Sequence, residues 1–412
     1  MMGLALAVVA ALVAVSRLMM GWVGRRHATR WRQREPYSGS WPHVSVIAPR
    51  RGRVGQENID DLLSQDYEGT WDIIFVTTQE DASHDQLREH EAKHRRVRLT
   101  LARDVVQLAQ EDGIHRGQKC ENLLTAIAAA STETEIFACI DADVWPSRDW
   151  LRSLVEPLLR TDTEAEATTL SRLYPPGPGL ASNIQTSWLI GGAGLLLGPS
   201  MFTWGGSCAF RRSMLDKTDV LRRWQGLEGP ICCDDLNLSV ALRKGGHRIC
   251  YVPGPMAMRM PPEQEESLST VLHFTNRQLL HAWWAQRDLF WHIFVPTGLE
   301  TLSFLAALCV VWWQPLAALA LSLPLIDILS LWGASLRLES MDLEGRIPPG
   351  SLRKAVLKGG AYGSLLATIN CLTAMATTRM NWGGVEYTPK TVIGYTENDS
   401  WRAKTRSTSP LP

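Results

Sequence analysis

The chain lacks a surplus of charge of either sign, because its 412 residues carry 42 basic and 42 acidic side chains. That balance gives no general attraction to nucleic acid, so we expect no nucleic-acid partner. The chain also lacks a CxxC pair, and its eight cysteines are scattered between Cys120 and Cys371 without regular spacing. A disulfide framework or a zinc site would be more regular, so we expect reduced thiols in a cytosol-facing protein.

A long apolar run opens the chain. Residues 3–20 are apolar or small except for Arg17, and about 20 such residues cross the hydrocarbon core of a bilayer. A cleaved signal peptide is the alternative, but no basic segment precedes the run and no convincing cleavage site follows it. Several arginines follow instead, at positions 25, 26, 30, 32 and 34. We therefore predict a transmembrane anchor over residues 1–24, with the following domain on the cytoplasmic face of the membrane.

The middle of the chain alternates short β-branched runs with helical stretches, in a composition of 45% apolar and 20% charged residues that is typical of globular proteins. Predicted strands cover residues 44–48, 72–77, 98–101 and 136–140, and predicted helices cover residues 58–64, 83–94 and 119–130. This order predicts an α/β fold with a mostly parallel, Rossmann-like sheet. Its ligands should bind beyond the carboxyl ends of the strands, near Pro49, Thr78 and Asp141.

Two carboxylates, Asp141 and Asp143, follow the apolar strand 136–140. Once the chain turns after this strand, both can converge on one hard divalent cation, Mg²⁺ or Mn²⁺, that would link them to the phosphates of a nucleotide. A solvated turn is the alternative for an Asp-x-Asp triplet. The position behind five apolar residues favours the metal site.

A second acidic pair, Asp234 and Asp235, opens a helical pattern with apolar residues at positions 236, 238, 240 and 242. Such a pair often caps a helix and interacts with its dipole. The functional interpretation is a general base across the pocket from the metal, which would take the proton from an acceptor hydroxyl. The residues alone leave both interpretations open.

Several short motifs occur in the order of a known family. They are SVIAP at 45–49, LSQDY at 63–67, KCENL at 119–123, DADV at 141–144, WGGSCAFR at 204–211 and DDL at 234–236. With these motifs the chain resembles a family 2-type membrane glycosyltransferase with the GT-A fold, and within that class it is most similar to the ceramide glucosyltransferase group. The resemblance covers residues 42–290, the predicted catalytic domain, and depends on the order of the motifs.

The resemblance implies roles for residues near the strand ends. Pro49 and Asp81 would help to hold the base and ribose of a nucleotide-sugar donor. Asp141 and Asp143 would hold the metal and the sugar diphosphate. Lys119 matches a family lysine that contacts phosphate or the donor sugar, although the gap from the preceding family glycine is two residues longer here. A solvated lysine at the start of a helix is the alternative.

The resemblance also implies that Asp235 is the catalytic base, with Asp234 where many members have glutamate. Farther along, the family commonly carries Q-x-x-R-W, whereas this chain has Gln278 in the first place and His281 where the arginine belongs. Arg277 is the preferred substitute as the cation that neutralises the leaving diphosphate, and His281 is second. For His281 a packed interfacial histidine is the alternative.

Apolar spans are predicted after the catalytic domain, at residues 291–313, 315–334 and, more weakly, 359–378. They divide the remainder into C-terminal membrane helices at 291–380 and a tail at 381–412. Three full crossings would leave the tail outside, yet residues 381–387 resemble a motif that the family keeps near its catalytic face. We therefore expect the third stretch to be interfacial or re-entrant.

The segment 180–204 is apolar but rich in glycine, and the sequence PPGPG precedes it. We interpret it as a flap that dips into the membrane over the acceptor site. A plain core helix of the domain is the alternative.

These expectations together predict a multi-pass membrane enzyme that moves a sugar, taken to be a UDP-hexose, to the hydroxyl of a lipid acceptor with inversion at the anomeric carbon. A processive polysaccharide synthase is the second candidate, but it should need an intact Q-x-x-R-W and more spans. A metal-dependent phosphoesterase should supply more metal ligands. A non-enzymatic membrane scaffold would keep the fold without turnover.

Overall fold

The computed structural model describes residues 1–52, 55–197, 202–253, 257–258, 266–342 and 345–396. The helices are α1 (Met2–Arg32), α2 (Gln56–Leu63), α3 (His84–Lys93), α4 (Val105–Asp112), α5 (Gln118–Ala129), α6 (Trp150–Leu159), α7 (Gly179–Leu195), α8 (Met214–Lys217), α9 (Val220–Trp224), α10 (Asp234–Lys244), α11 (Leu268–Ala285), α12 (Arg287–Val310), α13 (Leu323–Glu339), α14 (Ser351–Gly359) and α15 (Gly363–Ala376). Short 3-10 helices cover Pro315–Ser322 and Gly360–Tyr362.

The strands are β1 (Val44–Pro49), β2 (Trp71–Thr77), β3 (Val97–Leu101), β4 (Ile136–Ile140), β5 (Ala165–Thr169), β6 (Arg172–Leu173), β7 (Ser207–Arg211), β8 (Arg248–Tyr251), β9 (Ala257–Met258), β10 (Met380–Trp382), β11 (Val385–Tyr387) and β12 (Val392–Tyr395). Seven of them form one sheet in the order β3-β2-β1-β4-β7-β5-β8. The four predicted strands are confirmed to within one residue at each end.

The large sheet is mostly parallel. Val44 of β1 lies opposite Trp71 of β2 on one side and Ile136 of β4 on the other, both in parallel register. Strand β7 runs antiparallel between β4 and β5. The predicted mixed α/β fold is therefore confirmed, and the carboxyl ends of β1, β2 and β4 meet at one edge of the sheet.

Both faces of the sheet are covered, which explains the continuous apolar runs in the central strands. All five residues of β4 are buried. Ala138 faces the cluster that includes Ile59 of α2 and Trp150 of α6, whereas Phe137 faces the cluster that includes Leu123 of α5. With its two faces packed, the sheet leaves its carboxyl edge as the place for a ligand.

Among the residues that the structure describes, three helical segments are long and apolar enough to cross a membrane, namely Met2–Arg32, Arg287–Val310 and Pro315–Glu339. They keep large apolar side chains on their outer surfaces, such as Leu12, Leu302 and Leu329. The weaker third stretch of the sequence forms α15, which has 14 residues and is shorter than the roughly 20 that a crossing needs.

Helices α14 and α15 follow one another in the chain but pack on different neighbours: α14 contacts α7 and α13, and α15 contacts mainly α11 and α12. Near the start of α14, the Leu352 amide donates to Glu339 Oε1 at the end of α13 over 3.1 Å. At the start of α15, Ser364 Oγ donates to Asp327 Oδ2 in the first half of α13 over 2.8 Å. Met380, after α15, returns to His281 of α11. This path brings β10–β12 back to the sheet domain.

The segment 180–204 forms α7, and its residues 198–201 lie outside the described part of the chain. The first half of α7 is buried, and Ser187 Oγ bonds to the Ala355 carbonyl of α14 over 3.2 Å. The last residues, up to Leu197, line a cavity that is described below. The helix is therefore packed at its start, as in the alternative of a core helix, and lines an apolar cavity at its end. Residues 397–412 of the predicted tail also lie outside the described part.

Candidate active site

Charged side chains gather at the carboxyl edge of the sheet, where parallel strands end together. Asp141 directly follows β4, and Arg50 directly follows β1. Lys119 lies in the first turn of α5, which begins at Gln118 and points toward this edge. These residues are far apart in the sequence, and the sheet brings them together as expected for an open α/β fold.

Lys119 bridges the two acidic pairs. Its Nζ lies 2.7 Å from Asp141 Oδ1 and 3.2 Å from Asp234 Oδ2. The side chain of Lys119 is only 14% exposed. The alternative of a solvated lysine at a helix start is therefore wrong: this lysine is a buried cation between two carboxylates.

Two glycines allow the acidic pairs to approach each other. A Cβ at Gly205 would lie 2.6 Å from Asp234 Oδ2 and 2.9 Å from Lys119 Nζ, and a Cβ at Gly206 would lie 2.8 Å from Asp141 Oδ2. The Gly205 amide also donates to Asp235 Oδ2 over 3.0 Å. The close approach explains why glycine is needed at both positions of the WGGS sequence.

The charges of this cluster are strongly coupled. Burial alone would lower the pKa of Lys119, but Asp141 and Asp234 raise it well above its ordinary value. Burial alone would raise the pKa of Asp141, but Lys119 and Arg172 lower it. Burial, with repulsion from Asp235 and Asp141, raises the pKa of Asp234 to about 7 against the attraction of Lys119. Asp141 is thus a carboxylate at neutral pH, whereas Asp234 titrates there.

Two arginines that the sequence did not indicate complete the cluster. Arg172 of β6 lies 3.6 Å from Asp141 Oδ2 and stacks over the ring of Trp204 at 4.8 Å. The buried Arg50 interacts electrostatically with Asp141 and Asp143, and burial lowers its pKa to about 10, so it remains a cation. Arg50 could have been found from its place after a strand, but nothing local marks Arg172.

Pro49 and Asp81 lie at neighbouring strand ends. Pro49 is the last residue of β1. Asp81 Oδ1 accepts from the Gly52 amide over 2.8 Å and from the Ser83 amide over 2.9 Å. This carboxylate joins the loops after β1 and β2, which together form one wall of the edge where the nucleotide is predicted.

The residues of the altered Q-x-x-R-W motif lie on α11 at the same site. The Arg277 guanidinium stacks over Trp382 at 5.7 Å and interacts with Asp141 and Asp143. His281 packs against Met380 and Trp382, and burial followed by repulsion from Arg277 lowers its pKa to about 3. His281 is therefore neutral at physiological pH, and only Arg277 of the two predicted candidates is a cation.

A cavity of about 420 Å³ opens beside Asp235 and is lined mostly by apolar side chains. Near the cluster its lining includes Arg172, Trp204, Gln278 and His281. From there it continues between α1, α7, α12, α13 and α15. Asp235 thus stands where the charged edge of the sheet meets an apolar chamber between helices.

The mostly parallel sheet, with opposed carboxylates and cations beyond its strand ends, defines an α/β enzyme of the glycosyltransferase class. More specifically, the chain belongs to the family described as glycosyltransferase like family 2, whose model matches residues 42–280, more than half of the chain. The expected class of enzyme is confirmed by this match.

No curated protein matches the chain. Among solved structures, the chain is similar to the mannosyltransferase PcManGT from Pyrobaculum calidifontis in complex with GDP-Man and Mn²⁺, at 17% identity and a TM-score of 0.44, over 90% of this chain and 98% of that one. It is also similar to glucosyl-3-phosphoglycerate synthase from Mycobacterium tuberculosis in complex with Mn²⁺, UDP-glucose and phosphoglyceric acid, at 17% identity and a TM-score of 0.35, over 60% of this chain and 84% of that one.

Proposed function

We propose that this glycosyltransferase is a membrane-bound, inverting enzyme that moves a hexose from a nucleotide-sugar donor, taken to be a UDP-sugar, to a lipid hydroxyl, in the manner of the ceramide glucosyltransferase group. One observation carries the proposal: the apolar cavity that begins at Asp235 continues between the helices that are long enough to cross a membrane. A water-soluble acceptor would need no such chamber, whereas a lipid would reach the carboxylate from the bilayer.

The charged cluster supports a donor site at the strand ends. Asp141 and Asp143 offer carboxylate oxygens, the donors that Mg²⁺ and Mn²⁺ prefer, and both influence the buried Arg50. These two residues would hold the divalent cation, which when bound would help to neutralise the nucleotide diphosphate. Lys119, Arg172 and Arg277 surround the same edge and would stabilise the negative charge that develops on the leaving group.

Asp235 is the general base of the proposed displacement. Its carboxylate accepts from the Gly205 amide and the Leu236 amide, at 3.0 Å and 2.7 Å, and it lines the cavity. The acceptor oxygen attacks the anomeric carbon and gives its proton to Asp235, while the bond to the diphosphate oxygen breaks and its electron pair leaves with the nucleoside diphosphate. Asp234, buried against Lys119, positions that lysine.

We further propose that α1, α12 and α13 span the membrane with the sheet domain in the cytoplasm. The arginines that follow the apolar part of α1 favour this orientation. In this proposal α14 and α15 enter the membrane and return without crossing it, so three crossings leave β10–β12 on the side of the domain. Three further full crossings after α1 would instead leave them on the opposite side.

The test is to incubate detergent-solubilised protein with a panel of nucleotide sugars and extracted lipids, with Mn²⁺ or Mg²⁺, and to identify the product by mass and linkage. We expect one sugar added to a lipid with inverted configuration, and loss of transfer in Asp235→Asn. Long products would instead identify a polysaccharide synthase. Absence of donor turnover would identify a scaffold, and transfer to soluble acceptors alone would contradict the lipid acceptor.

A further inference from the structure

A second cluster of charges lies between the apolar helices, away from the sheet. Arg17 of α1 reaches Glu300 of α12 over 3.1 Å and Asp327 of α13 over 2.9 Å. Ser364 of α15 donates to the other oxygen of Asp327 over 2.8 Å. Four helices are therefore joined at one level by a continuous network of ion pairs and hydrogen bonds.

The cavity that begins at Asp235 ends at this network. On α1 its lining runs from Ala28 to Arg17 and the residue before it, and on α13 it runs from Leu338 to Asp327. On α15 it includes Ser364. In the described part of the chain, the lining does not continue on any of these helices past the level of the network.

The length of the cavity follows from the helices that form its walls. From Arg17 to Ala28 is 11 steps along α1, which at the rise of an α-helix is roughly 16 Å. From Asp327 to Leu338 on α13 is also 11 steps and the same roughly 16 Å. Half of a bilayer's hydrocarbon core is about 15 Å, so the cavity is about as deep as one leaflet is thick.

We propose that the cavity is a slot for one hydrocarbon chain of the acceptor and that the network of Arg17, Glu300, Asp327 and Ser364 is its floor, which limits the chain length that fits. This inference rests on the proposed lipid acceptor. Each methylene added above the floor is buried, which improves binding about fourfold. A methylene added beyond the floor would have to separate the paired charges of the network, so binding no longer improves with chain length.

One glycine allows the slot to be shortened without disturbing the network. Gly21 lines the cavity, and a Cβ built there meets nothing within 4 Å. It lies one helical turn above Arg17, about 6 Å along α1. A leucine at this position would fill the lower slot, and it also suits a helix better than glycine does. Gly333 of α13 is the matched control because it does not line the cavity, and its Cβ would make only an ordinary contact with Arg337 at 3.9 Å.

The experiment compares the full-length protein with its Gly21→Leu and Gly333→Leu variants in lipid nanodiscs. The probes are straight-chain primary alcohols of increasing length, which offer the acceptor's hydroxyl and a single chain. The readout is the alcohol concentration that gives half of the maximal thermal stabilisation. For wild type we expect this concentration to fall with each methylene and then to level off. In Gly21→Leu the levelling should come at a shorter chain, whereas Gly333→Leu should match wild type.

Partitioning of the alcohols into the nanodisc is common to all three proteins and cancels in the comparison. The break point is the chain length at which the half-maximal alcohol concentration stops falling. If Gly21→Leu and wild type had the same break point, or if no alcohol stabilised the protein, the slot would be overturned. A shifted break point together with no sugar transfer to any lipid would leave the slot standing and overturn the proposed function. The two proposals can therefore fail separately.

Discussion

The molecule contains two buried charge clusters, and they differ in construction. At the strand ends, Lys119 lies between Asp141 and Asp234, and further arginines surround them. Between the apolar helices, Arg17 pairs with both Glu300 and Asp327. In the cluster at the strand ends, cations surround an edge of the sheet that is open for a ligand. In the cluster between the helices, the carboxylates are already paired with Arg17 and Ser364.

This difference in construction indicates that the two clusters have different functions. A cluster with several cations around two carboxylates suits a site that must receive an anionic substrate and a metal, because its charges rearrange when the ligand binds. A cluster whose members bond to one another across four helices suits a fixed structural element. We therefore expect substitutions at the strand ends to affect turnover first, and substitutions between the helices to affect stability first.

The largest effect should come from Asp143→Asn. This change keeps the shape of the side chain but removes the charge that we assign to the metal, so turnover should fall at least about a thousandfold. Steady-state transfer assays measure the loss of turnover, and melting temperatures show whether the variant has also lost stability. Asp85→Asn, at a carboxylate that is 98% exposed, is the control. Near-normal transfer by Asp143→Asn would falsify its role.

A smaller loss of turnover should follow Arg277→Gln, because other cations remain around the same edge, and we expect at least about a tenfold decrease.

His281→Gln tests the alternative cation. Since the pKa of His281 is about 3, the imidazole carries no charge in the neutral range, and its replacement should not change the shape of the pH profile between about pH 5 and 8. A lost ionisation in that profile would show that His281 acts as a cation after all.

Between the helices, Arg17→Met should mainly reduce stability, since it leaves Glu300 and Asp327 without their cation. We expect a loss of about 2 kcal/mol, below the range for a fully buried pair because 33% of the Arg17 side chain is exposed. Combining it with Glu300→Gln and Asp327→Asn should restore part of the loss. Thermal unfolding in detergent measures the stability of each variant. If Arg17→Met were as stable as the triple variant, the ion-pair account would be contradicted.

The smallest effect concerns the pH dependence of stability. Burial and neighbouring carboxylates raise the pKa of Asp234 to about 7, above the value of an exposed aspartate, so the folded state binds a proton that the unfolded state has released. The stability from this group is complete below about pH 4 and is lost as the pH rises to about 7. Asp234→Asn should remove this loss. Equal pH dependence of the two melting temperatures would rule out the shifted pKa.

The strand ends could be predicted from sequence because each step is local. The apolar run before Asp141 indicates a buried strand, and the alternation of strands and helices indicates that parallel strands end at one edge. The bridge made by Lys119 could not be predicted, because it depends on how closely Gly205 lets α10 approach α5. Arg172 also has no local signal, since β6 is two residues long and acquires its place only through packing.

The arrangement of the apolar helices could be predicted from sequence less fully. Apolar length predicted two of the long apolar helices near their observed bounds, and Arg17, Glu300 and Asp327 could each be seen as charges within apolar segments. Their pairing could not, because it joins residues about 300 positions apart. Hydropathy also did not predict that residues 359–378 form only a 14-residue helix, α15, packed mainly against α11 and α12.

The hairpin β10–β11 is held against the sheet domain by distant bonds. The Ile231 amide donates to the Pro389 carbonyl over 3.0 Å, and Tyr387 is buried beside Cys232, two residues before Asp234. During synthesis, these contacts cannot form until the three long apolar segments and the strands that follow them have been made. The order of assembly follows: all strands of the seven-stranded sheet are made by β8, but the packing of β10–β12 beside Cys232 must wait for the end of the chain.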